Sequence, residues 1–298
     1  LDVHIGGGQT NTGLGNLTIT AGTLNTNDGS NRLLTVTGTT TIGPNSGAAD
    51  QATLTCNAST ISLGSGITSS AYGLYVNRGG TFTGGSGTHT LGSVVVRNDA
   101  AAKCTLSSGV TTINGEHGGD GRAINIEGTS ATFDDGNGTV TFTFAGTTKI
   151  ALEGNSLYNV IVNDSSASVE YIGDTTIDND LTVTAGKFRY NSFEDLTVTG
   201  DVSVTGILGH PNVATTSNST FGSLTINSGG EYKAPSGTTT ITTATGAGSS
   251  SNRAAFCHAS GTFTHNNGLF KTTAGNADVE FTSQSETNNP FYDFEATQ

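Results

Sequence analysis

One short stretch, Leu14-Gly15-Asn16-Leu17-Thr18-Ile19-Thr20, decides the fold of this chain. A large apolar residue is followed by Gly or Tyr, then by a small polar residue, and then by a strand. The same order returns at Leu91-Gly92-Ser93-Val94-Val95-Val96, Leu157-Tyr158-Asn159-Val160-Ile161-Val162, Phe221-Gly222-Ser223-Leu224-Thr225-Ile226 and Phe291-Tyr292-Asp293-Phe294. The copies begin roughly 65–77 residues apart, a spacing typical of tandem repeats. We therefore predict a single repeat array over residues 1–298, with imperfect units that begin near residues 14, 91, 157, 221 and 291.

Between these copies, apolar and polar residues alternate in short segments. Examples are Leu34-Thr35-Val36-Thr37, Leu181-Thr182-Val183-Thr184 and Leu196-Thr197-Val198-Thr199. A period of two predicts strands with one buried side and one solvent-facing side. No stretch shows a sustained helical period, so we predict an all-β protein with almost no helix. The Gly that ends each such segment is expected to break the strand and to permit a positive φ.

Many short strands at regular spacing fit a sandwich, a propeller or a solenoid. Three features favour a parallel β-solenoid. An Asn comes directly after an apolar strand residue at four places, which are Asn77, Asn114, Asn163 and Asn227. Asn tolerates the backbone of a corner, and stacked Asn side chains can form ladders there. Tight hairpin turns of the Asn-Gly type are scarce, and an aromatic content of 7% suits a narrow aliphatic core. We predict coils of ~22 residues that rise ~4.8 Å each. Tandem β-sandwiches are the alternative.

The composition excludes several classes of partner. The chain has 11 Lys and Arg against 24 Asp and Glu, which gives a net charge of −13. Such an acidic surface repels phosphate backbones and anionic lipid, so we expect no nucleic-acid binding. No apolar run approaches the length of a membrane span, so we expect no membrane insertion. Because Leu1 is not Met and the copy at Phe291 is unfinished, we expect a segment of a longer chain.

No cofactor is predicted, and no residue set fixes a metal. Asn27-Asp28-Gly29-Ser30-Asn31 is rich in oxygen atoms and is a candidate for calcium, but it lacks the spacing of a dedicated calcium loop. A plain turn is the simpler interpretation. Asp174, Asp178 and Asp180 are expected to form a solvated acidic patch.

Cysteine and histidine are scattered along the chain. Cys56, Cys104 and Cys257 show no metal-ligand spacing, so each is expected to act as a small apolar strand residue. The histidines are His4, His89, His117, His210, His258 and His265. Cys257, His258 and His265 come nearest to a cluster. Strand alternation places Cys257 and His258 on opposite faces, which argues against joint ligation of a metal.

No catalytic residues are predicted, and we expect that the protein is not an enzyme. Asp134 and Asp135 are adjacent carboxylates, which on a strand point to opposite faces and cannot act as one acid–base pair. A polar turn with Gly136 is the simpler interpretation. The segment Glu116-His117-Gly118-Gly119-Asp120 lies in a loop with no Ser or Cys nucleophile motif beside it.

Thr runs that end in Ile precede three polar loops. The loops cover residues 43–51, 114–122 and 242–253, and they follow Ile42, Ile113 and Ile241. If the repeats are in phase, these loops project from one side. They are our predicted contact surface.

The runs Leu157-Tyr158-Asn159-Val160-Ile161-Val162-Asn163 and Asp180-Leu181-Thr182-Val183-Thr184-Ala185-Gly186 resemble those of a known group. It comprises β-strand-repeat fibre proteins of bacteriophages, particularly marine ones, and of bacterial surface adhesins. The resemblance covers nearly the whole chain. It implies a β-solenoid fibre that presents loops to a surface, and it carries over no catalytic residues.

From these features we expect a structural fibre or appendage protein at a virion or cell surface, outside the cell. The expected partners are other copies of itself, neighbouring fibre or virion proteins, and cell-surface glycans. One alternative is a polysaccharide-degrading β-helix enzyme, for which Tyr72, Tyr75, Tyr158 and Tyr171 are candidate sugar platforms. A second alternative is a subunit of a self-assembling extracellular filament.

Overall fold

The computed structural model describes residues 11–27, 29–44, 51–69, 71–118, 121–190, 193–209, 216–243, 254–258, 261–273, 278–281 and 291–297. Within these ranges the chain contains strands, turns and bends but no helix, which confirms the all-β prediction. No helix there is long and apolar enough to cross a membrane. The chain divides into two units, Leu1–Tyr158 and Asn159–Gln298.

The first unit consists of short strands, most of three or four residues. They are β1 (Asn11–Leu14), β2 (Leu17–Ile19), β3 (Gly22–Asn25), β4 (Leu34–Val36), β5 (Thr40–Ile42), β6 (Ala52–Thr55), β7 (Ile61–Leu63), β8 (Thr68–Ser69), β9 (Leu74–Val76), β10 (Gly80–Thr83), β11 (His89–Leu91), β12 (Val94–Val96), β13 (Lys103–Thr105), β14 (Val110–Ile113), β15 (Glu116–His117), β16 (Arg122–Ile126), β17 (Thr132–Asp134), β18 (Thr139–Phe142), β19 (Thr147–Ala151) and β20 (Ser156–Leu157).

Parallel pairing arranges most of these strands into three ladders. Ladder A runs β1-β4-β7-β11-β14-β18. Ladder B runs β2-β5-β9-β12-β16-β19. Ladder C runs β3-β6-β10-β13-β17. Apart from β8 and β15, the chain visits A, B and C in that cyclic order from β1 to β19, so each strand pairs with the strand one cycle later.

The alternating sequence explains why these strands form. In β4 the apolar ends Leu34 and Val36 are buried while Thr35 between them is partly open. Ladder C repeats this pattern, and its register aligns one buried column of Leu24, Leu54, Phe82, Cys104 and Phe133. Burying a side chain of the size of Leu or Phe stabilises a fold by about 1.5–3 kcal/mol. The core of the unit is therefore built from such columns.

The second unit has longer strands, several of which bend through a corner. They are β21 (Asn159–Ile172), β22 (Thr175–Ile177), β23 (Leu181–Tyr190), β24 (Leu196–Val204), β25 (Ile207–Gly209), β26 (Ser219–Ile226), β27 (Glu231–Lys233), β28 (Thr238–Ile241), β29 (Ala254–His258), β30 (Thr262–Thr264), β31 (Leu269–Thr272), β32 (Asp278–Phe281) and β33 (Asp293–Ala296).

Three parallel ladders order this unit as well. Ladder D joins the Val160, Leu181, Val202, Leu224, Phe256 and Val279 segments. Ladder E joins the Val169, Phe188, Leu208, Tyr232 and Phe263 segments. Ladder F joins the Ile177, Val198, Phe221, Ile241, Phe270 and Phe294 segments.

The core of the second unit is more aromatic than the sequence suggested. Tyr171, Tyr190 and Tyr232 are among the largest fully buried side chains. The ring centroids of Tyr171 and Phe188 lie 5.5 Å apart, and those of Tyr171 and Tyr190 lie 5.7 Å apart. Burial raises the pKa of Tyr171 and of Tyr232. The Tyr232 hydroxyl contacts Thr239 Oγ1 at 2.8 Å, which satisfies its polar group inside the core.

The copies of the quoted stretch at Leu14, Leu91 and Phe221 mark one kind of corner, where the chain leaves ladder A for B, or F for D. The copy at Phe291 does not lie at such a corner, because its strand β33 pairs with β31 in ladder F. Gly92 and Gly222 lie at such corners. A Cβ on Gly92 would collide with the carbonyl oxygen of Gly64, and one on Gly222 with that of Gly200. Gly is therefore required here because the backbone of the preceding coil is too close for any side chain.

The prediction that terminal glycines adopt positive φ is correct only in part. Gly22 has φ +79° and Gly186 has φ +74°. Gly38, Gly200 and Gly206 lack a positive φ, and each instead faces atoms that a Cβ would overlap. Close approach between successive coils is thus the second reason for the glycine content.

The predicted Asn ladders are wrong. The register places Asn163 beside Ala185, and it places Asn77 next to Gly43 and Arg97. Asn114 and Asn227 bond to Ser and Thr rather than to each other. None of Asn77, Asn114 and Asn163 has a positive φ, nor does Asn227. The coils vary in length, from 20 residues between Leu74 and Val94 to 34 between Thr40 and Leu74, so these positions do not coincide.

Side chains of Asp and Asn do form columns elsewhere, in the second unit. Asp174 Oδ1 accepts a hydrogen bond from the Asp195 backbone N at 2.9 Å. Asp195 Oδ1 accepts one from the Asn218 N at 2.6 Å, and Asn218 Oδ1 accepts one from the Thr238 N at 3.0 Å. Each side chain therefore satisfies a backbone donor of the next coil at the corner before ladder F.

Candidate functional site

Two insertions at the corners between ladders A and B form the most elaborate surface feature among the described residues. Their described residues are 64–69 and 71–73 in the first insertion and 114–118 and 121 in the second, and the insertions lie on either side of the tight corner at Gly92. β8 of the first pairs in parallel with β15 of the second. Asn114 Oδ1 accepts a hydrogen bond from the Gly66 N at 2.9 Å, and Asn114 Nδ2 donates to Ser65 Oγ at 2.7 Å. The two insertions are thus joined across the intervening coil.

Three stacked rings hold these insertions against the outer side of ladder B. Tyr75, the middle residue of β9, stacks on Tyr72 with ring centroids 4.5 Å apart. Tyr72 stacks on His117 with centroids 3.9 Å apart. Beneath this cover, Val95 is fully buried although it is the outward residue of β12. The insertions therefore pack as an ordered part of the structure.

Polar side chains surround the stack. Arg97 Nη1 donates to Asn77 Oδ1 at 2.9 Å, and Arg122 Nη1 donates to Asn125 Oδ1 at 2.5 Å. Burial, followed by the nearby Glu127 carboxylate, raises the pKa of the Tyr75 hydroxyl, while Arg97 acts in the opposite direction. We call Tyr72, Tyr75, Arg97, His117 and Arg122 the ring-stack site.

The site offers planar hydrogen-bonding groups beside aromatic edges. Tyr72 has both ring faces covered, by Tyr75 and by His117, so it cannot stack on a sugar in this arrangement. Tyr171 is fully buried, so its prediction as a sugar platform is wrong. Tyr158 is half-buried. Among the described residues no group of three or more His, Cys, Asp or Glu side chains could hold a metal ion.

The carboxylate pair acts as a turn. Asp134 Oδ1 accepts from the Gly136 N at 2.8 Å, and Asp135 Oδ1 accepts from the Asn137 N at 3.1 Å. Asp135 also accepts from the Tyr158 backbone N. These bonds serve backbone groups, two within the turn and one 23 residues away at Tyr158.

The candidate calcium segment is also a turn where the structure describes it. Asn27 Oδ1 accepts from the Gly29 N at 2.8 Å, and Asn27 forms an isolated bridge with Asn31. Asp28 lies outside the described residues. Of the acidic patch, Asp174 belongs to the column described above. Asp180 belongs to another column, since its Oδ1 accepts from the Asp201 N at 2.8 Å.

Of the histidines and cysteines, the structure describes the side chains of Cys56, Cys104, His89, His117 and His265. Cys56 and Cys104 are buried free thiols whose pKa values burial raises. His265 Nδ1 accepts from the Asn267 N at 3.0 Å. His4 and His210 lie outside the described residues, as do the side chains of Cys257 and His258.

His89 is a buried histidine that sequence analysis did not distinguish. It lies in ladder A between Ile61 and Thr111, and its ring centroid is 6.0 Å from that of Phe82. Burial lowers its pKa to about 4. The alternation of β11 was the available signal, because it places His89 and Leu91 on the same inward side.

The predicted loops do not share one side. In the first unit, the 43–51 loop follows Ile42 of ladder B, whereas the 114–122 loop follows Ile113 of ladder A. The Thr-Ile runs therefore belong to different ladders and the repeats are out of phase. Residues 45–50, 119–120 and 244–253 lie outside the described part of the chain. The insertion at 64–73 was missed, because its Ser- and Gly-rich sequence resembles an ordinary turn.

Comparison with known proteins returns no matching family model, no matching curated protein and no matching solved structure.

Proposed function

We propose that the ladders close into a parallel β-solenoid and that the chain is a structural fibre or appendage module, outside the cell, that attaches to a surface through its insertions. The cyclic order of ladders A, B and C supports the solenoid, because each turn of a coil adds one strand to each ladder. Parallel pairing throughout the ladders is also unlike the antiparallel pairing of tandem sandwiches.

The observation that carries the attachment role is the joined pair of insertions at the ring-stack site. Ordered loops on a stiff repetitive scaffold suit recognition, because little conformational entropy is lost when they bind. Several copies of such insertions along a fibre would bind at the same time, so that weak individual contacts would give a high overall avidity. This combination favours a fibre over an enzyme, for which no acid–base pair is in evidence among the described side chains.

Cell-surface glycans are the partner class that this chemistry suits best. The guanidinium groups of the partly exposed Arg97 and Arg122 are planar donors for sugar hydroxyls. The buried amides of Asn77 and Asn125 accept hydrogen bonds from them and so fix their positions. The net charge of −13 disfavours nucleic acid and anionic lipid. Phage fibres and bacterial adhesins, which the repeats resemble, are the proposed class.

The architecture is tested by electron cryo-microscopy of the purified chain. We expect a rod whose cross-strand spacing is about 4.8 Å along its axis. Particles made of two face-packed antiparallel sheets would overturn the solenoid and leave a tandem sandwich as the better description.

The attachment role is tested by binding of the labelled chain to immobilised bacterial surface polysaccharides. Tyr72→Ala removes the middle ring of the stack and should release both insertions, so we expect affinity to fall about tenfold. The matched control is Tyr292→Ala, which breaks a second Tyr–His stack, with His265 at 5.8 Å, in the other unit. Its binding should match that of the unchanged chain.

Two results would contradict the proposal. Equal binding by both variants would remove the ring-stack site from the attachment surface. Release of reducing ends from the polysaccharide by the unchanged chain would replace the attachment role with the enzyme alternative.

A further inference from the structure

The outer side of ladder A in the first unit carries an unbroken row of hydroxyl groups. The register aligns Thr35, Ser62, Thr90, Thr112 and Thr141 on successive strands. Each lies between two buried residues of its strand and is itself partly exposed. The row therefore points away from the core.

A second row runs beside the first, two positions earlier in each strand. It contains Leu33, Thr60, Thr88, Val110 and Thr139, and the register pairs Val110 directly with Thr139. Thr60 and Thr88 are exposed, and 40% of the Val110 surface is accessible. Together the rows form a two-row surface, which we call the threonine face.

The threonine face is uncharged on a chain whose net charge is −13. None of its hydroxyl groups makes a hydrogen bond to another residue that the structure describes, so they are available to solvent. Thr and Val are β-branched and stiff at χ1, which fixes their methyl groups and hydroxyls in place. The rows repeat about every 4.8 Å along the ladder and about every 6.6 Å along the strand.

We propose that the threonine face binds the surface of ice. A regular grid of fixed hydroxyls and methyls can hold water in a lattice, with the methyls seated between water molecules and the hydroxyls bonded to them. Charged side chains would instead orient water around themselves and break such a lattice. A crystalline polysaccharide is the weaker candidate, because sugars stack on aromatic rings and these two rows contain none.

Ladder F of the second unit provides an internal control. It carries a similar row, Thr176, Thr197, Thr220 and Thr240. Its second row, however, contains the carboxylates of Asp174 and Asp195, which face solvent beside the threonines. On this argument ladder F does not bind ice.

The test uses the whole chain and measures the fraction of protein incorporated into slowly grown ice. It also measures the thermal hysteresis, which is the gap between the melting and freezing temperatures of the solution. We expect incorporation above that of a non-binding acidic protein of similar size. Thr90→Lys places a charge at the centre of the threonine face and should lower incorporation about tenfold. Thr197→Lys is the matched control on ladder F and should leave incorporation unchanged. Circular dichroism melts establish that both variants fold.

Exclusion of the unchanged chain from ice overturns the proposal, and so does equal incorporation by the two variants. Co-sedimentation with crystalline cellulose or chitin without ice incorporation would instead assign the face to a polysaccharide. A dimer that Thr90→Lys dissociates, again without ice incorporation, would assign it to a second copy of the chain.

Discussion

Ladder A of the first unit and ladder F of the second carry nearly the same row of outward threonines but differ in the row beside it. In ladder A the neighbouring row is Leu33, Thr60, Thr88, Val110 and Thr139. In ladder F the corresponding positions are Asp174, Asp195, Asn218 and Thr238. The side chains of the first three each accept a hydrogen bond from a backbone N of the next coil, and the last of these donors is the Thr238 N.

The difference shows that the residues that form a ladder are not the residues that determine the charge of its outer face. Inward apolar residues and close-packed corner glycines are common to both units. The outward row at the corner varies freely, so in one unit it satisfies the backbone with carboxylates, and in the other it is left neutral. On these two faces the charge is therefore set by the row at the corner and not by the row of threonines beside it.

The corner glycines should tolerate change least, equally in both units. Gly92→Ala and Gly222→Ala each place a Cβ against a backbone carbonyl oxygen of the preceding coil. We expect each to lower the free energy of unfolding by about 3 kcal/mol or more. Urea unfolding followed by circular dichroism measures this.

Gly15→Ala is the matched control, because Gly15 lies in the same motif, has no positive φ and has nothing within 4 Å of the added Cβ. It should unfold like the unchanged chain. A loss as large as that of Gly92→Ala would show that the motif itself, not close approach, demands Gly.

Acid should weaken the first unit through His89, on the inward side of ladder A. Its pKa is lowered to about 4 by burial, whereas an unfolded His titrates near 6.5. Between these values the unfolded chain binds a proton that the folded chain does not. The contribution of neutral His89 to the free energy of unfolding is therefore complete above pH 6.5, and it falls by about 3 kcal/mol as the pH decreases to 4.

His89→Leu removes this titration. The difference in unfolding free energy between the variant and the unchanged chain should then grow in the variant's favour as the pH falls from 6.5 to 4. A constant difference across that range would mean that His89 is protonated as easily in the folded as in the unfolded chain.

The carboxylate column should contribute the smallest effect. Asp195→Ala removes the acceptor for the Asn218 N, and we expect a loss of about 1 kcal/mol because water can reach this exposed corner. Asp195→Asn keeps an acceptor oxygen and should retain most of the stability. Equal losses for both would show that the charge, rather than the hydrogen bond, matters.

Much of the ladder architecture could be predicted from the sequence, because alternation in segments such as Leu34–Val36 directly reports a buried side. The corner motif was also recognisable at Gly92 and Gly222. The physical reason for Gly at these corners could not be predicted. The close approach of Gly64 to Gly92 depends on which residues of successive coils are aligned, and coils of unequal length hide that alignment in the sequence.

The candidate site was less predictable for the same reason. Tyr72 and His117 are 45 positions apart in the sequence and meet only because β8 and β15 pair across an intervening coil. No local pattern encodes such a contact. The threonines of ladder A were visible as strand residues, but their alignment into a neutral face required the register.

Because β8 pairs with β15, the segments 64–73 and 114–121 behave as a single exchangeable cassette. A change in the length of the first would leave β15 with only its antiparallel pairing to β16, and a change in the second would remove the parallel partner of β8. Diversification of this surface, in nature or by engineering, therefore has to replace both segments together, while the short coil at Gly92 between them stays fixed.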